Sequence, residues 1–236
     1  MNMKKSLLWV AVALAFASCT ATKTNTYPGS INFIDNDPPI TQSLFEDKSA
    51  TISEENIQRI LDGTYSLPED LSVAFVRIAP SQSLQRYYWS DEEYLKSQQQ
   101  YLDLFSEKFK NSSRVKKTFS IPDLLISSAP SFTSIRGSAV RTQSDIVVIY
   151  SINSDIYSQY KLFSKTDIKA FATTQLVILD VRTGLIPFTT IVTKDFQDKK
   201  TDADLNENEA RNRIKNQAVL GTIEEIGLQL EAFLGK

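Results

Sequence analysis

From residue 50 onward the alternation of apolar and polar positions divides the chain into helical and extended segments. Ser53 to Asp62 predicts a short helix, with Ser53 at its N-cap, Ile57, Ile60 and Leu61 on one face, and Gly63 just past its end. Val73 to Ala79 is a β-rich apolar run closed by Pro80, the pattern of an interior strand. Ser90-Asp91-Glu92-Glu93 fits a capping box and opens a helix to about Lys110, with Leu95, Leu102, Phe105 and Phe109 as its buried stripe and Gln98 to Gln100 largely outside it. A strand is expected near Val115 to Ile121, then a loop between Pro122 and Pro130. A helix follows over Phe132 to Thr142, with Ile135, Ala139 and Val140 inward.

The densest β pattern is Ile146 to Ile152, extended by a more exposed ribbon at Tyr157 to Phe163. Thr174 to Val181 is another β-branched run. It leads into a tight turn at Arg182-Thr183-Gly184, where glycine takes a positive φ at little cost. Ile186 to Thr193 alternates as a half-buried strand near an edge, and Lys194 to Asp204 reads as a charged loop. Asn206 and Glu209 then cap a final helix reaching nearly to Lys236, with Ile214, Ala218, Ile223, Ile226, Leu230 and Phe233 at helical spacing. Gly221 and Gly227 inside it each cost about 1 kcal/mol against Ala, which points to close packing or local irregularity. The order of strand, helix, strand, helix, three strands, helix predicts an α/β fold. In it a mixed sheet carries packed helices, a parallel β-α-β part adjoins an antiparallel hairpin, and the C-terminal helix is long.

The first 50 residues follow a different pattern. Lys4 and Lys5 precede an uninterrupted apolar run from Leu7 to Ala17, which ends in Ala17-Ser18-Cys19. That run is about half of the roughly 20 residues a membrane-spanning helix needs, so a permanent span is not expected. The site resembles the bacterial lipobox, in which small residues precede a cysteine that is acylated and becomes the first mature residue; Phe16 stands where Leu is usual. The resemblance implies a lipoprotein signal peptide over 1–18, acyl chains such as palmitate on Cys19, and a lipid-anchored tether and partly ordered arm over 19–45. A single α/β globular domain then occupies 46–236. Burial of about 0.8 kcal/mol per CH₂ makes several chains on one residue a durable anchor. Thr20 to Thr24 lacks an acidic cluster and no Asp follows Cys19, which by the same resemblance implies the periplasmic face of the outer membrane. Asp35-Asn36-Asp37-Pro38-Pro39 is a breaker cluster, read as a plain turn rather than a calcium loop because the other ligands and the glycine of an EF-hand are missing.

Composition narrows the chemistry. The chain has 26 Lys and Arg against 28 Asp and Glu; losing Lys4 and Lys5 leaves 24 against 28, a balance of −4. Such a mild charge makes no electrostatic case for nucleic acid. Histidine is absent, which removes the commonest general base and metal ligand, and the lone cysteine rules out an intramolecular disulfide. No cofactor, metal or enzymatic activity is therefore expected.

Ser144 to Tyr150, followed by Leu176 to Val181 and the Asp180-Val181-Arg182-Thr183-Gly184 turn, resembles envelope proteins of the curli-secretion lipoprotein type, the TolB N-terminal domain and the lipoprotein activators of penicillin-binding proteins. The resemblance covers about Leu71 to Lys236 and implies the same α/β arrangement. Candidate binding residues are Tyr87, Tyr88 and Trp89, which can anchor a protein or stack on sugar, and Arg136, Arg141 and Arg182 with Arg77, which can grip an anion. Packing under a loop and ordinary salt bridges are the bland alternatives. Asp145 and Asp180 form a conceivable acid–base pair but fit strand boundaries equally. These features favour an envelope accessory module that binds a protein partner without catalysis; the alternative is a small-molecule or glycan-binding lipoprotein.

Overall fold

The computed structural model describes residues 54–78, 92–126, 130–159 and 167–235; the signal segment, Cys19 and the arm lie outside them. The elements in chain order are α1 (Glu54–Asp62), β1 (Leu71–Arg77), α2 (Glu92–Lys110), β2 (Val115–Ser120), a 3-10 turn (Asp123–Leu125), α3 (Phe132–Arg141), β3 (Ile146–Gln159), β4 (Asp167–Asp180), β5 (Phe188–Lys199) and α4 (Glu207–Leu234). The strands form one five-stranded sheet in the order β2-β1-β3-β4-β5. β1 runs parallel to β2 and β3, while β4 is antiparallel to both β3 and β5. This is the mixed α/β sheet expected from the pattern.

The chain steps outward from β1 to β2 and then back across β1 to β3. Two crossovers of the usual right hand taken in opposite directions place their helices on opposite faces. Accordingly Phe105 and Phe109 of α2 pack with Val73, Phe75, Ile146 and Val148 on one face, whereas Ile135 and Ala139 of α3 pack with Ala74, Val76, Val147 and Ile149 on the other. β1 is thus apolar on both sides, which is why its sequence runs rather than alternates.

The larger core lies between the sheet and the layer of α2 and α4. Every second residue of β4 from Ile168 to Ile178 is buried in it, facing Ile214, Ala218, Ile223 and Ile226 of α4. The Phe75 and Phe109 rings meet edge to face at 5.3 Å, and Phe105 tilts against Tyr150 at 4.8 Å. A fully buried hydroxyl pair between Thr174 and Thr222 at 2.5 Å joins the sheet to α4, with Thr222 also donating to the Val219 carbonyl at 2.6 Å. Where α2 lies on α4, a Cβ at Gly227 would come within 2.7 Å of Lys108 Cδ. The close packing expected at that glycine is there, and the Lys108 ammonium reaches on to Glu224. Gly221 has ordinary space around it.

Several details depart from the pattern. Leu95 is 53% exposed, its place on α2 taken by buried Tyr101, and Val140 is exposed while Ser138 turns inward. Ile60 and Leu61 of α1 are exposed. The expected loop from Lys194 is strand as far as Lys199, because its charges find counter-ions on the neighbouring strand and on α4: Lys194 meets Glu225 of α4 at 3.1 Å, Asp195 meets Lys169 of β4 at 3.0 Å and Lys199 meets its ladder partner Asp167 at 3.6 Å. β4 likewise begins at Asp167, well before Thr174.

Candidate functional site

The residues with the greatest chemical capacity gather at two ends of the sheet and along α4. At the end where β4 finishes, Asp180 is buried. Its Oδ1 accepts the Thr183 N–H at 2.6 Å and the Thr183 hydroxyl at 2.8 Å, and its Oδ2 accepts the Tyr65 hydroxyl at 2.9 Å. This closes the turn in which Gly184 has φ of 75°. Burial and the neighbouring carboxylate push the Tyr65 phenol well above its ordinary range. Asp145, one strand away, accepts the Ser72 N–H at 2.9 Å and pairs with Arg182 at 3.2 Å. Both aspartates are thus held by backbone amides at strand boundaries, the structural role weighed against acid–base work.

Two of the candidate arginines converge on that turn. Arg136 donates from Nε to the Val181 carbonyl at 2.7 Å and from Nη2 to the Arg182 carbonyl at 2.6 Å, clamping α3 to the β4–β5 connection. Arg182 lies beside it with a side chain 76% exposed, and Arg141 is exposed at the end of α3. Arg136 therefore spends on carbonyls the Nε and Nη2 donors that a side-on bidentate anion grip would use. Tyr87, Tyr88 and Trp89 lie outside the described residues.

At the opposite end, where β1 finishes, Arg77 Nη1 donates to the Tyr94 hydroxyl at 2.9 Å and to Gln98 Oε1 at 3.2 Å, with its guanidinium 5.9 Å from the Tyr94 ring centre. Tyr150 stands opposite Arg77 in the ladder. Its phenol is pushed up to about 12, by burial first, with Arg77 opposing and Asp123 and Tyr94 reinforcing the shift.

Arg213 on α4 is the most heavily bonded cation among the described residues. It reaches Asp204 through Nε at 2.9 Å, Asp198 through Nη1 at 2.8 Å and the Lys199 carbonyl through Nη2 at 2.9 Å. The guanidinium holds both carboxyls below the usual carboxylate range, helped at Asp204 by the Thr201 amide and at Asp198 by the Lys199 amide. Beside this network an open cleft of about 310 Å³ runs between α2 and α4, lined by Gln100, Glu209, Arg213, Asn216, Gln217 and Leu220. Its floor is fixed by Asn216, which accepts from Tyr101 and donates to Ser97.

The last feature is β5 itself, an outer strand of the sheet. Ile191 is 67% exposed on it, and Lys194, Asp195 and Phe196 are also exposed. All four charged residues of the strand bond to an opposite charge on β4 or α4. Tyr65, Tyr94, Arg213 and the charged half of β5 were not singled out from the sequence. The Arg213 cluster had one readable signal, an acidic pair at Asp198 and Asp204 shortly before an arginine-bearing helix.

No protein-family model matches the chain. The search of curated proteins finds no relative. Among solved structures, the chain is similar to a hypothetical protein from Chlamydia trachomatis at 14% identity and a TM-score of 0.41, over 70% of this chain and 98% of that one. It is also similar to a minor lipoprotein from Acinetobacter baumannii at 11% identity and a TM-score of 0.35, over 70% and 94%. A lipoprotein from Neisseria meningitidis matches at 10% identity and a TM-score of 0.31, over 66% and 99%. Likenesses of this size say nothing about activity.

Proposed function

We propose that this chain is a lipid-anchored accessory protein of the bacterial cell envelope that works by binding protein, without catalysis. Acyl chains on Cys19 hold it at the periplasmic face of the outer membrane. The anchor rests on the charged, apolar and small-residue succession ending at Cys19. The binding role rests on β5, whose outer backbone edge and exposed side chains offer a further strand a place to pair. Backbone pairing supplies affinity there, and the alternating Thr189, Ile191 and Thr193 surface supplies selectivity.

Both parts have direct tests. Cys19→Ser moves the chain from the detergent phase to the aqueous phase on temperature-induced partitioning; continued partitioning into detergent overturns the anchor. A photo-crosslinking residue at Ile191 or Thr193 of the full chain in intact envelopes gives protein adducts of constant mass, whereas one at exposed Glu231 gives none. Recovery of the chain alone from both β5 positions counts against protein binding.

The cleft between α2 and α4 favours a second reading, a small polar ligand or glycan held by Gln100, Asn216 and Gln217. A thermal shift with envelope sugars that Gln217→Ala abolishes supports it, and a flat response across the panel retires it.

A further inference from the structure

We infer that β5 pairs antiparallel with β5 of a second copy about a twofold axis at Phe196, joining two five-stranded sheets into one. This rests on the reading of β5 as a docking edge and names its occupant. Edge strands are commonly defended by charge that a neighbouring strand would have to strip of water. On β5 that defence is blunted, because Lys194, Asp195, Asp198 and Lys199 each already hold an opposite charge from their own chain, at 2.8 to 3.6 Å.

The order of those charges then selects one register. A twofold keeps side chains of the same face opposite each other, so the axis passes through a residue and i meets a fixed j of the second copy. With the axis at Phe196, Lys194 lies opposite Asp198 of the second copy, twice over. Asp195 lies opposite Gln197, diagonal to Lys199 on one side and to its own counterpart on the other, and the two Phe196 rings meet. An axis at Lys194, Asp195, Asp198 or Lys199 sets that charge against itself, and one at Gln197 pairs Asp195 with Lys199 but sets Lys194 against Lys200 and Phe196 against Asp198. An axis at Thr193 leaves Asp195 against Ile191 and Lys194 against Val192. Of these axes only that at Phe196 both sets Lys194 against Asp198 and brings together the two Phe196 side chains, each 36% exposed in the single copy.

The test uses the full chain in bacterial membranes with Cys19 in place. Residues directly opposite in an antiparallel pair have Cα atoms about 4.5–5.5 Å apart, inside the disulfide range of about 4.4–6.8 Å. Phe196→Cys therefore gives a disulfide-linked dimer under mild oxidation at least tenfold above both Ile191→Cys and the unsubstituted chain. The two Ile191 positions would sit about 34 Å apart in this register. Phe196→Asp keeps the circular dichroism of the fold and moves the detergent-extracted protein from dimer to monomer in sedimentation. Equal crosslinking at 196 and 191, or a monomeric unsubstituted chain, overturns the inference. Adducts from Ile191 to other proteins with no dimer would leave the docking reading standing and remove the second copy. No adduct of any kind at β5 would remove both.

Discussion

The Tyr65 hydroxyl donates to Asp180 at 2.9 Å across 115 positions of sequence, tying the segment that enters β1 to the turn that leaves β4. The same carboxylate holds Thr183 by two bonds, so a single buried group sets both the entry to the sheet and the geometry of its tightest turn. Asp180→Ala leaves those donors without a partner and lowers stability by about 3 kcal/mol, while Tyr65→Phe costs about 1 kcal/mol. Urea unfolding of the two variants gives the comparison; equal effects would show that the Thr183 bonds contribute nothing.

Arg136 and Arg141 lie on one short helix and carry the same charge, yet differ in what they touch. Arg136→Ala removes two bonds to the β4–β5 turn and costs about 2 kcal/mol. Arg141→Ala stays within about 0.5 kcal/mol, as an exposed substitution does. Gly184→Ala costs about 1 kcal/mol or more, because its φ of 75° is strained for any side chain. Thermal melts of the three variants check the ranking.

Phe105 and Leu95 repeat the contrast on α2. Phe105 is fully buried between the Tyr150 ring and the α4 layer, and Phe105→Ala costs about 3–5 kcal/mol. Leu95→Ala, at an exposed position of the same helix, changes stability by less than about 0.5 kcal/mol. Denaturant midpoints at equal slope decide between them.

Stability falls at both ends of the pH scale for separate reasons. The carboxyls of Asp198 and Asp204 are depressed in the folded chain by Arg213, so their contribution is complete above about pH 4 and is lost as pH falls through the depressed values. Arg213→Met flattens this acid limb. Tyr65, Tyr101 and Tyr150 are raised by burial, so their contribution is complete below about pH 10 and is lost as pH climbs through the raised values, about 12 for Tyr150. Urea midpoints from pH 2 to 12 trace both limbs, and ultraviolet titration shows Tyr65, Tyr101 and Tyr150 ionising later than an ordinary phenol.

Among the described residues, periodicity located best the elements with a continuous apolar face: β1 apolar on both sides, β4 on every second residue, α4 along its stripe. It misjudged places where the partner decides. Lys194 to Lys199 has too many charges to resemble a strand until β4 and α4 supply their counter-ions. Leu95 and Val140 are apolar residues at helical spacing that are nonetheless exposed, while Tyr101 is buried with its hydroxyl satisfied by Asn216. The Asp-x-Arg-Thr-Gly turn was legible from its chemistry, but Arg136 as its clamp was not, since that contact spans 45 positions. No local pattern announces a bond so distant.

The central place of β1 makes the fold's birth awkward. β1 is the first strand synthesised, yet it is sandwiched between β2 and β3, and the amide of Ser72 finds its aspartate 73 positions later. Until that stretch has emerged, the nascent chain carries an oily ribbon with both flanks bare, the kind of surface that invites clumping. The meander from β3 through α4, by contrast, joins neighbours in sequence and can assemble early, leaving the free edge of β3 for β1, and β2 beyond it, to join afterwards.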